Sequence, residues 1–260
     1  MEVHPSGKWE RAGAPPSVGT AGCFSADSAW PEPWRKGLGI PMLMETLRAY
    51  QRRDPAARSC LEILLLYAGV HATIYYRFAH WLHRRQLCFL ARFVSQWARF
   101  WTGIEIHPGA VIGRRLVIDH GTGIVIGETT EIGDDVLLYQ GVTLGGTGKD
   151  VGKRHPTLGS SVMVGAGARV LGPITVHDNA RIAAGAVVLQ DVPANATAVG
   201  VPAQIVRVNG EKVRRYADEV DQTSVVNPTL QKIEALTRRV EELEQKLGEA
   251  EKNIPSKGDQ

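Results

Sequence analysis

One stretch of the sequence decides the fold: Ile126-Gly-Glu-Thr-Thr130-Glu-Ile132-Gly-Asp-Asp-Val136-Leu-Leu138. An aliphatic residue returns every six positions, a small residue follows it, and a smaller aliphatic residue or threonine stands four positions on. The same phrase recurs from Ile106 to Pro202. A six-residue period sustained over this length is typical of a parallel β-helix, in which three phrases close one triangular coil. The spacing does not fix the hand of the coil.

The six-residue register is interrupted twice. Two extra residues stand between Ile118 and Ile126, and eight extra residues stand between Leu144 and Leu158. The second excess is polar and rich in glycine, so we expect it to form a loop outside the coil. Insertions in repeat proteins often build binding sites.

The rest of the chain predicts helices at both ends of the repeat. We expect a flexible extension over residues 1–40, an α-helical domain over 41–103, the β-helix over 104–207 and a tail over 208–260. The tail contains a heptad, which is typical of a coiled coil. A helix packed on its own subunit is the alternative. The heptad residues are Ile233, Leu236, Val240, Leu243, Leu247 and Ala250.

Composition excludes several classes of protein. The formal net charge is only +3 and no run of Lys and Arg occurs, which disfavours nucleic acid as a partner. The longest apolar run, residues 61–70, is too short to cross a membrane. The N-terminus lacks an apolar signal segment. Three cysteines without metal-ligand spacing, Cys23, Cys60 and Cys88, favour a reduced interior, and we expect a cytoplasmic protein.

Five motifs in combination resemble the serine acetyltransferase family, which makes O-acetylserine from acetyl-CoA and L-serine. The resemblance covers about residues 42–207 and implies a left-handed parallel β-helix. It also implies acetyl-CoA as a co-substrate, with no permanently bound cofactor and no metal. The motifs are Ile118-Asp119-His120 with the following Gly-Thr-Gly-Ile-Val-Ile-Gly-Glu-Thr, Gln140-Gly-Val-Thr-Leu-Gly-Gly-Thr-Gly-Lys149, Arg154-His155-Pro156, Val164-Gly-Ala-Gly-Ala168 and Ala198-Val-Gly-Val-Pro-Ala203.

His120 is the predicted catalytic base. A serine hydroxyl is a weak nucleophile until its proton is removed, and imidazole suits that task near neutral pH. A catalytic histidine also needs an acceptor that orients it. The family places an aspartate there, and this chain has Glu105 in its place. A solvated carboxylate at the domain junction is the alternative for Glu105, and a surface histidine is the alternative for His120.

The resemblance assigns four further residues to serine. Asp54 and Asp119 would bind its amino group, Arg154 would pair with its carboxylate, and His155 resembles the family's second active-site histidine. From the residues alone, Asp54 followed by proline is also typical of a helix N-cap. A solvated basic loop is the alternative for Arg154 and His155.

Small residues are the candidates for binding acetyl-CoA. Gly146, with its glycine neighbours, allows close backbone approach, and its loop presents N–H groups to the thioester oxygen. Thr147, Ala166 and Ala184 complete the predicted contacts. The turns of a β-helix require small residues in any case, so a purely structural role for them stays open.

The resemblance also implies partners. Family members form trimers or dimers of trimers, with each active site between neighbouring β-helices. They often bind O-acetylserine sulfhydrylase through a tail that ends in isoleucine, whereas this chain ends in Gly258-Asp259-Gln260, so we do not expect that association. Two other enzymes remain as alternatives: a hexapeptide acetyltransferase acting on a sugar hydroxyl, and a β-helical carbonic anhydrase with zinc bound by histidines. A non-catalytic scaffold is the third alternative.

Overall fold

The computed structural model describes residues 40–148, 152–212 and 228–252 of the chain. Four helices precede the repeat in the described residues: α1 (Ile40–Arg53), α2 (Cys60–Leu66), α3 (Ala68–Arg84) and α4 (Cys88–Thr102). One long helix follows it, α5 (Pro228–Lys252). The predicted extension over residues 1–40 lies almost entirely outside the described residues, as do Lys149, Asp150 and Val151 of the predicted loop.

Three sheets form the faces of the repeat. Sheet A contains β1 (Glu105–Ile106), β4 (Val125–Ile126), β7 (Thr143–Gly145), β10 (Arg169–Leu171) and β13 (Val187–Val188). Sheet B contains β2 (Val111–Ile112), β5 (Glu131–Ile132), β8 (Thr157–Leu158) and β11 (Thr175–Val176). Sheet C contains β3 (Val117–Asp119), β6 (Leu137–Tyr139), β9 (Met163–Val164), β12 (Arg181–Ile182), β14 (Ala196–Val199), β15 (Gln204–Val208) and β16 (Glu211–Lys212).

The strand pairing confirms the predicted parallel β-helix. Strands pair in parallel with the equivalent strand of the next coil. Among the described strands, the antiparallel pairs are β14 with β15 and β15 with β16, at the end of sheet C. Ile106 pairs with Ile126, twenty positions on, and Ile126 pairs with Leu144, eighteen positions on. The twenty-residue coil contains the two extra residues seen in the sequence.

The aliphatic residues of the repeat form one continuous core. Ile132, Leu138, Leu144 and Ile182 are fully buried, and each stacks on its equivalent in the neighbouring coil. Each coil covers the apolar face of the one before it, so burial stabilises the stack as a whole.

Polar contacts from α1 and α3 attach the helices to the first coil. The Tyr50 hydroxyl of α1 accepts a hydrogen bond from Ile118 N (2.9 Å) and lies 3.2 Å from Ile118 O, to which it donates. Gly69 at the start of α3 permits this packing, because a Cβ there would lie 2.4 Å from the Tyr50 hydroxyl and 2.6 Å from Ile118 O. The end of α1 is thereby held next to the end of β3.

Candidate active site

The predicted base, His120, stands at one edge of the β-helix, where the chain passes from sheet C to sheet A. We call this border the first edge. His120 follows β3 with φ +59°, and Gly121 N donates to Asp119 O at 2.7 Å, which closes a tight turn. The turn directs the imidazole outward, with 78% of its side chain exposed. Nε2 lies 3.9 Å from a carboxylate oxygen of Asp119.

A second carboxylate, that of Asp54, is fixed near His120. Its Oδ2 accepts a hydrogen bond from the Tyr67 hydroxyl at 2.6 Å, and its Oδ1 accepts from Ala56 N at 2.8 Å. These bonds, that of Tyr67 first, lower the pKa of Asp54, and the charge of His120 lowers it further. The bond to Asp54 in turn raises the pKa of Tyr67 to about 12. The first edge therefore presents ionised carboxylate beside an exposed imidazole.

The alternative interpretation of Asp54 as a helix N-cap is wrong. The next helix, α2, begins at Cys60, and its N-cap is Ser59, whose hydroxyl accepts from Glu62 N at 3.1 Å. Asp54 instead closes a turn after α1 through Ala56. Proline at position 55 suits that turn equally well, because it also fixes φ there.

Glu105 lies at the start of β1, half-buried, and pairs with arginines of α4. One of its oxygens is 3.0 Å from Arg99 Nη1 and the other is 4.0 Å from Arg92 Nη2. Within the described residues, its recorded ion pairs go to these two arginines and none goes to His120. The orienting role of Glu105 stays a prediction.

Arg154 and His155 stand at the opposite border of sheet A, where the chain enters sheet B through β8. We call this border the second edge. His155 is nearly buried, and its Nδ1 accepts from Thr129 N at 3.2 Å and lies 2.9 Å from Thr129 Oγ1. The acceptor role of Nδ1 places the ring proton on Nε2. Burial and the neighbouring Arg154 lower the pKa of His155, which keeps the ring neutral.

Glu128 organises the second edge. Its carboxylate forms a close ion pair with the Arg154 guanidinium, which is about one-third exposed. The same carboxylate faces His107, whose pKa burial lowers to about 4. Gly127 provides the space for this arrangement, because a Cβ there would lie 2.0 Å from the His155 ring.

The predicted acetyl-CoA contacts divide between the two edges. Gly146 belongs to the second edge, where a Cβ on it would lie 3.1 Å from Arg154 O, and a Cβ on Gly172 would lie 3.2 Å from Thr147 Cγ2. Ala166 and Ala184 continue the first edge beyond His120, one coil apart, with Gly185 N donating to Ala166 O at 2.8 Å. Ala184 is exposed and Ala166 half-buried, so a track of small side chains follows the first edge.

Sequence reasoning missed Tyr67, Glu128 and Thr129. The repeat contains the signal for the last two, because Glu131 pairs with Thr157, and this places Glu128 and Thr129 one coil below Arg154 and His155. Tyr67 had no such signal, since its contact with Asp54 depends on how α1 meets α3.

Cysteines, metal ligands and apolar helices bear on the remaining expectations. Cys60 has a free thiol, but Cys88 is disulfide-bonded, so the expectation of reduced thiols is wrong for Cys88. Within residues 40–148, 152–212 and 228–252, no group of three or more His, Cys, Asp or Glu side chains is arranged to hold a metal ion. Among the helices of the same residues, none is long and apolar enough to cross a membrane. A cytoplasmic location stays a prediction.

Comparison with known proteins agrees with the fold. Residues 155–190 match the family described as bacterial transferase hexapeptide (six repeats), so this part of the chain is a hexapeptide repeat. The serine acetyltransferase of Bacillus subtilis (strain 168) is 50% identical over 216 residues, which cover 83% of this chain and 98% of that protein. The chain belongs to the serine acetyltransferase family.

Solved structures extend the likeness to ligand complexes. The serine acetyltransferase of Brucella abortus strain S19 in complex with coenzyme A has a TM-score of 0.62 at 42% identity, covering 64% of this chain and 66% of that chain. The Neisseria gonorrhoeae serine acetyltransferase in complex with serine also has a TM-score of 0.62 at 42% identity, covering 64% of this chain and 68% of that chain.

Proposed function

We propose that this chain transfers the acetyl group of acetyl-CoA to the hydroxyl of L-serine, with His120 as the base. The observation that carries the proposal is the grouping of an exposed imidazole with the carboxylates of Asp119 and Asp54 at the first edge. Carboxylates suit the ammonium group of an amino acid, and the imidazole suits its hydroxyl.

The reaction needs one proton to move twice. His120 removes the proton of the serine hydroxyl as that oxygen forms a bond to the thioester carbonyl carbon. Backbone N–H groups around Gly146 stabilise the resulting oxyanion. The carbon–sulfur bond then breaks, and the imidazolium returns the proton to the sulfur of CoA. Glu105 orients His120 in this scheme, once the arginines that now hold its carboxylate release it.

The serine carboxylate has a matching group on the second edge. The Arg154 guanidinium presents a planar fork, which suits a carboxylate, and Glu128 holds it in place. His155, kept neutral by burial, donates from Nε2 to the same substrate. Gly146, Thr147, Ala166 and Ala184 line the path of acetyl-CoA.

The distance between the edges supports a site shared by two copies of the chain. Each face of a coil is about six residues long, which separates the edges by about 15–20 Å at ~3.3 Å per residue. The hydroxyl and carboxylate of one serine are only a few bonds apart. The first edge of one copy therefore meets the second edge of its neighbour, in a trimer or a dimer of trimers.

Exposed aromatic residues of the helical region also support an oligomer. Phe89, Phe93, Phe100 and Trp101 of α4 are each more than half exposed. Exposed apolar faces of this kind mark interaction surfaces.

Mixing two inactive variants tests the shared site: His120→Ala and Arg154→Ala chains, unfolded and refolded together, regain about a quarter of wild-type activity if each site takes one residue from each copy. Activity no higher than that of the separate variants would contradict the shared site.

The substrate is tested by steady-state kinetics with three acceptors. Full-length protein is supplied with acetyl-CoA and with L-serine, L-homoserine or an amino sugar, and thiol release is measured. We expect the highest kcat/KM with L-serine, because Asp54, Asp119 and Arg154 together match an α-amino acid. Preference for the amino sugar would favour the alternative sugar acetyltransferase, and no acceptor-dependent release would favour a scaffold.

A further inference from the structure

Helix α5 presents an apolar stripe that the described chain does not cover. Ile233, Leu236, Val240 and Leu243 are 53%, 66%, 52% and 47% exposed. Their spacing of three, four and three places them on one face of the helix. In the part of the chain that the structure describes, this face of α5 is not packed on its own subunit. A stripe of this width on a 25-residue helix is the seam of a coiled coil.

The register of the seam follows from the spacing. Ile233 and Val240 occupy heptad position a, and Leu236 and Leu243 occupy position d, because the step from a to d is three residues. The flanking positions g and e are then occupied by Arg239 and Glu244, and seven residues later by Lys246 and Glu251.

These flanking charges select one orientation of the partner helix. In a parallel, in-register pair, position g faces position e of the next heptad on the partner, so Arg239 meets Glu244. The sequence repeats this pattern of charges at positions 246 and 251. In an antiparallel pair, g faces g and e faces e, which brings like charges together. Arg239 is paired with Glu242 of its own helix at 2.9 Å, but this pair is exposed and stabilises the free helix only slightly. Arg239 can exchange it for an interhelical partner.

We propose that α5 binds the α5 helices of other copies of this chain, parallel and in register. Equivalent helices run parallel when the copies are related by rotation about an axis that lies along the helices, so the contact fits a cyclic oligomer. The contact does not depend on the acetyltransferase reaction, and its tests do not measure that reaction.

Cross-linking of cysteine variants tests the orientation. Leu236→Cys and Leu243→Cys are made separately in the full-length chain and oxidised, with Arg238→Cys on the outer face as the matched control and the wild type as the background of native cysteines. A parallel, in-register coil brings each d residue to its own equivalent. We expect both d variants to give several-fold more disulfide-linked dimer than the control. Cross-linking at only one of them, or yields equal to the control, would overturn the proposal.

Charge reversal tests the pairing of g with e. In the Leu243→Cys chain, the changes Arg239→Glu and Lys246→Glu put like charges across the seam, and we expect the yield of linked dimer at low salt to fall several-fold. An equal amount of a Leu243→Cys chain with Glu244→Lys and Glu251→Lys should restore the yield. Arg239, Glu244 and Lys246 are exposed on α5, and circular dichroism checks that helicity is kept. An unchanged yield, or no recovery on mixing, would contradict the proposal.

Discussion

The two borders of sheet A hold their histidines in opposite ways. At the first edge, His120 is largely exposed, stands in a tight turn and has its nearest charged partner, Asp119, at 3.9 Å. At the second edge, His155 is nearly buried and is held by Thr129, beneath the ion pair of Arg154 and Glu128. An imidazole that must take and return a proton needs access and freedom, whereas one that positions substrate needs fixed geometry. The difference supports the proposal that His120 transfers the proton and that His155 positions the substrate.

Loss of the His120 side chain tests this comparison most strongly. We expect His120→Ala to lower kcat/KM by about 10²–10⁴, the usual contribution of a general base. The free energy of unfolding should change by less than about 0.5 kcal/mol, because the side chain is exposed. Thiol-release kinetics and urea unfolding measure the two effects. His177→Ala, which removes another exposed histidine, is the control and should leave both unchanged. Activity within a few-fold of wild type would remove His120 from the mechanism.

Crowding the second edge should affect stability as well as binding. Gly127→Ala places a Cβ about 2 Å from the His155 ring, and we expect a loss of about 1–3 kcal/mol in unfolding free energy, typical of overpacking. The KM for serine should rise because His155 is displaced. In the His155→Ala chain the same change should cost much less, since the ring is gone. An equal cost in both backgrounds would show that the ring is not the obstacle.

Removing one hydroxyl should weaken substrate binding at the first edge. Tyr67→Phe deletes the 2.6 Å hydrogen bond that fixes the Asp54 carboxylate and lowers its pKa. We expect a several-fold higher KM for L-serine, about 1 kcal/mol, with kcat and the KM for acetyl-CoA nearly unchanged. Tyr75→Phe, at a residue of α3 outside the site, is the matched control. A fall in kcat alone would mean that Tyr67 acts on His120 and not on substrate binding.

The six-residue repeat was enough to predict most of the fold and about half of the residues of the candidate site. Register alone identified the buried core and both interruptions, because each repeat contacts only its neighbours and the pattern is local. The same register places Glu128 beneath Arg154, but it must be counted across an eight-residue insertion. The contacts of Asp54 with Tyr67, and of Glu105 with Arg99, depend on the angles at which helices meet the first coil. The six-residue repeat contains no information about those angles, so these contacts could not be predicted from it.

The smallest expected effect is a loss of folding stability at acid pH, which comes from buried histidines such as His107 at the second edge. Burial lowers the pKa of His107 to about 4, below its ordinary 6.5, so the unfolded chain binds a proton between these values and the folded chain does not. Stability is therefore complete above about pH 7.5 and is lost as the pH falls through 6.5 towards 4. His83 and His155 have pKa values lowered in the same direction.

Urea unfolding at pH 7.5 and pH 5.5 measures this loss for the wild type and for His107→Asn. Asparagine retains an acceptor for the 3.0 Å bond from Gly109 N and does not titrate. We expect the wild type to lose about 1 kcal/mol more than the variant on acidification. Equal losses would mean that His107 binds a proton as readily in the folded chain as in the unfolded chain. The contrast between the two edges would then depend on hydrogen bonding alone.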